Sequence, residues 1–423
     1  MRLHENIKAV IKERKQEYIN FFQQIVKEPT TTGHEKRAQT LMAERLKKNG
    51  LDVDVWEPDY NELIKSNFFN PRRENYKGSP NVVGIWKGTS KNGRSLILNG
   101  HIDVVPAGDE SKWTHHPYSG EVIDGKLYGR GTTDMKGGNI SALIALETVI
   151  GLGIKLKGDV IYESVIEEET GGAGTLAAIQ RGYTADVAII PEPSEMRIFH
   201  KQQRSLWFKI NVTGEAANGG TRYEGVSALE KGWVVFNEIM KLEEKRNEPL
   251  RRDPLYKDNP IPIPINIGQF NGGYFPSAVA EEATIQGRYG VAPGETIEEA
   301  KQEFERMLDN LKTIDPWFTK RPAIVEWGGI HLPPGGCDLD HPMLKILKEK
   351  FVEVENKEPI LAGSTWGTDG GLLTQAGGIP SIVFGPGTTS MAHFTDEYIE
   401  LDNLFKTAEI LALSIIDWCE ISS

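Results

Sequence analysis

Short apolar runs constrain this chain most: NVVGIW (81–86), SLILN (95–99), DVIYESVI (159–166) and DVAII (186–190), the last three leading within two residues into histidine or acidic residues. Helix-like segments at 138–150 and 174–181 separate them, and strands alternating with helices are the pattern of an α/β fold. Upstream, a helix-spaced N-terminus through Lys27, a second helix ending at Gly50 and the strand DVDVW (52–56) begin the same alternation. Downstream, a helix from His341 to Glu353, the strand SIVFG (381–385) and a last helix from Asp402 to Cys419 resume it. A mostly parallel sheet flanked by helices, shared by both ends of the chain, is therefore expected. The polar and aromatic stretch Glu57 to Pro80, with Pro71 and Gly78, is expected to be a long surface loop or insertion.

From 204 to 330 the order changes to strand (LWFKINV), helix (Val226 to Lys245), strand (INIGQF), strand (EATIQGRYGV), helix (Thr296 to Leu311) and strand (AIVEW). This βαββαβ order is that of an α+β ferredoxin-like domain. The expected organisation is a first domain in two parts, 1–203 and 331–423, interrupted by an inserted domain at 204–330.

Charge narrows the partners. A formal net charge of -12 without a Lys/Arg cluster excludes a nucleic-acid partner. No apolar run approaches the roughly 18 residues that span a bilayer, and the N-terminus lacks a signal-peptide pattern. The cysteines, Cys337 and Cys419, form neither a disulfide framework nor a CxxC zinc motif. A soluble protein of the reducing cytoplasm is expected.

Open α/β sheets place their sites at the carboxyl ends of the strands, and the titratable residues fall there. SLILN leads into Gly100-His101-Ile102-Asp103, DVIYESVI into Glu167-Glu168-Glu169, DVAII into Pro191-Glu192-Pro193, and SIVFG towards Met391-Ala392-His393. A glycine-rich turn, Gly129 to Gly138, carries Asp134; it has neither the P-loop order nor the dinucleotide fingerprint. Imidazoles and carboxylates converging on one rim suit zinc, with cobalt or manganese as alternatives. Without a cation, such carboxylates would have to bind protons or spread apart.

Together NGHIDVVPAGD (99–109), YGRGTTDMKGG (128–138), EEETGGAGT (167–175), PEPS (191–194) and AHFTDEY (392–398) resemble the M20 metallopeptidase and deacylase family over nearly the whole chain. That family includes acetylornithine deacetylase, succinyl-diaminopimelate desuccinylase, aminoacylase and glutamate carboxypeptidase. The resemblance implies two zinc ions, one held by His101 and Glu192, the other by Glu169 and His393, with Asp134 bridging. It makes Asp103 the carboxylate that orients His101. Glu168 becomes the general base that takes a proton from the metal-activated water and delivers it to the leaving nitrogen, or else a third ligand or bystander. The inserted domain becomes a lid and homodimerisation domain.

Two departures bear on the substrate. Asn218 stands where relatives offer the neighbouring subunit a histidine for the substrate carbonyl, and is either a substitute donor or a turn residue suited to positive backbone angles. Ser277 and Gly290 stand where relatives carry an Asn and an Arg that grip the substrate carboxylate. Arg288, on the same strand face as Gly290, either replaces that grip or is a solvated strand arginine. The implied activity is removal of an N-acyl group from an amino acid or related amine. A dipeptidase or carboxypeptidase is the alternative enzyme, and a metal-loaded ligand-binding protein with impaired catalysis the alternative class.

Overall fold

The computed structural model describes residues 2–70, 72–328 and 332–422. Pro71 and the expected domain limit between residues 330 and 331 lie outside them. The chain forms two compact units, one from Met1–Gln202, Pro334–Ala362 and Thr368–Ser423, the other from Gln203–Pro333 and Gly363–Gly367.

In the first unit a large sheet runs in the order Asp52–Trp56, Asn81–Trp86, Val160–Val165, Leu96–His101, Val187–Ile190, Ser381–Val383, Ile198–Gln202, Gly335–Gly336. The strands from Val160–Val165 to Ser381–Val383 are parallel, and both margins are antiparallel. These parallel strands are buried along their whole length, which explains runs that are apolar on both faces. The helix Gly137–Gly151 is buried nearly all round and packs on the strand Leu96–His101 and the helix Leu401–Cys419. Its one charged residue, Glu147, accepts from Arg45 Nη2, Arg14 Nη2 and Asn49 Nδ2, each at 2.8 Å. A buried carboxylate needs such partners.

Three features go beyond what was expected. The N-terminal helix is divided at Arg14 into Arg2–Glu13 and Lys15–Val26. Within the expected surface loop or insertion, Asp59 caps the short helix Tyr60–Leu63, accepting from Asn61 N at 2.9 Å, and Leu63, Tyr76 and Ser79 are buried. Val122–Ile123, Lys126–Tyr128 and Tyr398–Glu400 form a small antiparallel sheet that their short runs did not announce.

The second unit has the strand order Ile265–Gly272, Glu282–Val291, Arg204–Thr213, Ile324–Gly328, antiparallel throughout, with the helices Ala228–Asn247 and Ile297–Ile314. This is the ferredoxin-like arrangement. Thr296 and Glu299 form a capping box at the start of the second helix, and Ser227 caps the first, which begins at Ala228 rather than Val226. Phe304 anchors the core against Phe208, Tyr289 and Trp327, with ring centroids 4.9, 5.0 and 5.3 Å away. Among the described residues, no helix is long and apolar enough to cross a membrane.

Candidate metal centre

His101 ends its strand opposite Val165, so the Glu167–Glu169 turn that follows the neighbouring strand emerges beside it. The Asp103 carboxylate accepts the amides of Glu168 (3.3 Å) and Glu169 (3.2 Å), fixing the turn over the strand ends. His101 Nδ1 meets the main-chain oxygen of Asp103 at 2.9 Å, with the Asp103 carboxylate 3.6 Å away. The other nitrogen, Nε2, thereby faces the rim. There it lies 3.2 Å from Asp134 Oδ1, 3.6 Å from Glu192 Oε1 and 4.0 Å from Glu168 Oε2. His393 Nε2 approaches from the opposite side, 3.2 Å from Asp134 Oδ2 and 3.1 Å from Glu169 Oε1. The two oxygens of Asp134 thus face two different imidazoles.

Donor atoms of His101, Asp134 and Glu169, and those of His101, Glu168 and Glu192, each lie within 4.8 Å of one another. Electrostatics match a site built for cations. Burial raises the pKa of Glu168, Glu169 and Glu192, and mutual repulsion adds to it. Burial opposes charge on His101, yet Asp103, Asp134 and Glu192 overcome this and raise its pKa well above the ordinary value. Contacts with Asp134 and Glu169 push His393 up to about 10. Burial would raise Asp134, but the two imidazoles outweigh it and lower its pKa. A crowd of carboxylates held together only by borrowed protons fits divalent cations as the missing charge.

Residues without an expected role complete the scaffold. Glu397 Oε1 accepts the amides of Thr133 (2.9 Å) and Asp134 (3.2 Å), and its Oε2 accepts from Arg130 Nη1 at 2.7 Å. Arg130 Nη2 donates to the main-chain oxygen of His393 at 3.4 Å. One buried ion pair therefore ties the Asp134 turn to the His393 loop. Lys136 is fully buried and donates to the oxygens of Ile25 and Glu28, stitching the turn to the end of helix Lys15–Val26; burial lowers its pKa to about 7. Gly138 allows helix Gly137–Gly151 to touch the Pro191 carbonyl beside Glu192, since a Cβ there would lie 1.8 Å from that oxygen. Deeper, Asn99 Nδ2 donates to Glu163 Oε2 (2.8 Å) and Thr175 Oγ1 (2.9 Å), and Thr175 donates to Asp369 Oδ2 (2.7 Å). Both carboxyls are pushed up to about 7, chiefly by burial. Glu397 and Arg130 sit inside the motifs that carry His393 and Asp134; their position there was the available signal.

Asn218 and Arg288 belong to the second unit. Asn218 is exposed and extended (φ -67, ψ 137), so a positive backbone angle does not explain it; its Oδ1 accepts from Gly220 N at 2.8 Å, leaving Nδ2 as its donor. Gly219 N donates to Ser277 O at 2.8 Å, which joins the two departing positions. At Gly290 a Cβ would lie 2.7 Å from Ile263 and 2.9 Å from the Pro264 oxygen, so the crossing chain takes the space of a larger side chain. Arg288 Nη2 donates to Thr365 O at 3.0 Å, and burial lowers its pKa to about 10.

Histidines and carboxylates gathered at the carboxyl end of a parallel sheet define a metal-dependent hydrolase. The chain belongs to peptidase family M20/M25/M40, whose model matches residues 97–417. It is 32% identical over 436 residues to an N-formyl-4-amino-5-aminomethyl-2-methylpyrimidine deformylase of Halalkalibacterium halodurans, covering 99% of this chain and 98% of that one. It is 27% identical over 340 residues to an acetylornithine deacetylase of Yersinia pseudotuberculosis, covering 79% and 82%. Among solved structures it is similar to a tripeptidase of Staphylococcus aureus, with a TM-score of 0.72, 22% identity and 96% and 98% coverage.

Proposed function

We propose that this chain is a dinuclear metal amidohydrolase that removes the formyl group from an N-formylated aminomethylpyrimidine. His101 and Glu192 would hold one ion and Glu169 and His393 the other, with Asp134 shared between them; zinc would suit this mixed set, with cobalt or manganese as substitutes. Bound ions supply a water of lowered pKa and polarise the acyl carbonyl. Glu168 accepts the proton of the attacking water and passes it to the departing amine, giving formate and the free amine. The single observation that carries the metal assignment is Asp134, with one oxygen 3.2 Å from each imidazole.

The substrate assignment is supported by the near full-length match to the deformylase and by Ser277 and the filled space at Gly290. A formyl aminopyrimidine has no carboxylate for the lost Asn and Arg pair to hold. A second reading, an N-acyl amino acid, is favoured by Arg288, whose half-buried side chain donates to the Thr365 carbonyl, with no ion pair among the described residues. A homodimer through the inserted unit is supported by Leu229 and Trp233, exposed on helix Ala228–Asn247, and by strand Ile265–Gly272 at the sheet edge.

The test is kcat/KM for N-formyl-4-amino-5-aminomethyl-2-methylpyrimidine, N-acetylornithine and a dipeptide, with metal content measured alongside. A clear preference for the formyl amide is expected. Preference for the amino-acid amide, lost in Arg288→Met, would establish the second reading instead.

A further inference from the structure

The segment joining Asp52–Trp56 to Asn81–Trp86 lies where it bears on the substrate. Asp52–Trp56 pairs antiparallel with Asn81–Trp86, which pairs antiparallel with Val160–Val165, the parallel neighbour of Leu96–His101. The residues that follow Trp56 and precede Asn81 therefore emerge at the same end of the sheet as His101 and the Glu167–Glu169 turn. One ion pair fastens them there, and one close approach lies beside it.

The first is Arg73. Its guanidinium forms an ion pair with Glu167, lies over the Tyr76 ring (4.6 Å), donates to Ser79 Oγ at 3.0 Å and sits 3.8 Å from Glu35. Glu167 is buried and left-handed (φ 62, ψ 28), a conformation costly for a residue with a Cβ. Arg73 holds its side chain down while the next two residues present their carboxylates to the rim. The second is Asn70, which lies close to the turn: its main-chain oxygen and side chain would be 3.4 and 3.7 Å from a Cβ at Gly171. Gly171 is two residues beyond Glu169.

We infer that residues 66–70, anchored through Arg73, form one wall of the substrate cleft and read the amine half of the amide. Asn70 is the specificity-determining residue and Arg73 a positioning residue. The wall carries the amides of Asn67 and Asn70 and the half-buried rings of Phe68 and Phe69, and no charge. It suits a flat heteroaromatic amine, whose ring stacks on an aromatic face and whose ring nitrogens and amino group match an amide. This rests on the proposed deformylase reading, and it explains how such an amine is selected without a carboxylate grip.

Three measurements test it on the metal-loaded full-length protein. Calorimetry with the free amine, 4-amino-5-aminomethyl-2-methylpyrimidine, should show binding to the wild type that weakens about tenfold in Asn70→Ala, the loss of a neutral hydrogen bond. Formyl and acetyl amides of this amine and of methylamine should show kcat/KM falling about tenfold for the pyrimidine amide relative to the methylamide, mainly through KM. Arg73→Leu should lower the same ratio, with Arg73→Lys recovering part of it. Activity on the acetyl pair alone would overturn the deformylase reading and leave the wall to be judged on that pair. No binding of the amine to the wild type, or an unchanged affinity and ratio in Asn70→Ala, would overturn the inference.

Discussion

Replacing Glu397 with Gln isolates the ion pair that ties the Asp134 turn to the His393 loop. The carboxylate accepts three hydrogen bonds, from the amides of Thr133 and Asp134 and from Arg130 Nη1. Glutamine keeps the shape but has one acceptor oxygen. With that oxygen towards the backbone amides, its NH2 opposes the guanidinium; with it towards Arg130, the NH2 opposes two N–H groups. Either way donors face donors, and the buried Arg130 loses its counter-charge. Breaking a buried pair from one side costs about 3–5 kcal/mol. The ring of Trp113, 5.1 Å from the Arg130 guanidinium, is present in both forms and does not enter the difference. The expected loss is therefore about 3–5 kcal/mol, and metal affinity should fall about 10- to 100-fold as both loops loosen. Urea unfolding of the metal-free protein reads the first quantity, and competition against a chelator the second. An unchanged unfolding midpoint together with unchanged metal affinity would refute the reasoning.

Other consequences are testable separately. Burial raises Glu163 from 4.5 to about 7, so the folded state binds the proton more tightly and stability declines as pH rises across that interval. Glu163→Gln should flatten the decline, worth about 3 kcal/mol between the two limits; a wild-type unfolding midpoint that does not fall over this range would contradict it. Asp134→Ala should abolish binding of both metals, whereas His393→Ala should weaken mainly one, as elemental analysis and metal titration would show. Asn218→His should raise kcat about 10²-fold with a modest change in KM if the residue meets the substrate carbonyl of the neighbouring subunit; steady-state kinetics without a gain would exclude that role.

Sequence patterning revealed what is local. Parallel strands covered on both faces must be continuously apolar, so their ends, and the histidine and acidic residues just beyond, were visible as runs and breaks. The strands of the second unit were legible from a different pattern, the alternation of buried and more exposed positions along Arg204–Thr213, and the Thr296–Glu299 capping box marks its second helix. What escaped is held by partners far apart in the chain. Arg130 and Glu397 are 267 residues apart, and no period links a buried ion pair to its sequence. Arg73 and Glu167 likewise turn a polar, Pro- and Gly-containing stretch into a docked wall. The break at Arg14 carries neither Gly nor Pro, and strands of two or three residues are too short to show alternation.

Formate release from N-formyl-4-amino-5-aminomethyl-2-methylpyrimidine, measured for zinc-loaded wild type and Glu168→Gln at equal metal content, tests the central claim most directly. The account predicts turnover by the wild type and a loss of about 10²- to 10⁴-fold in kcat when the general base is removed. No turnover by the metal-replete wild type, or undiminished turnover by Glu168→Gln, would contradict it.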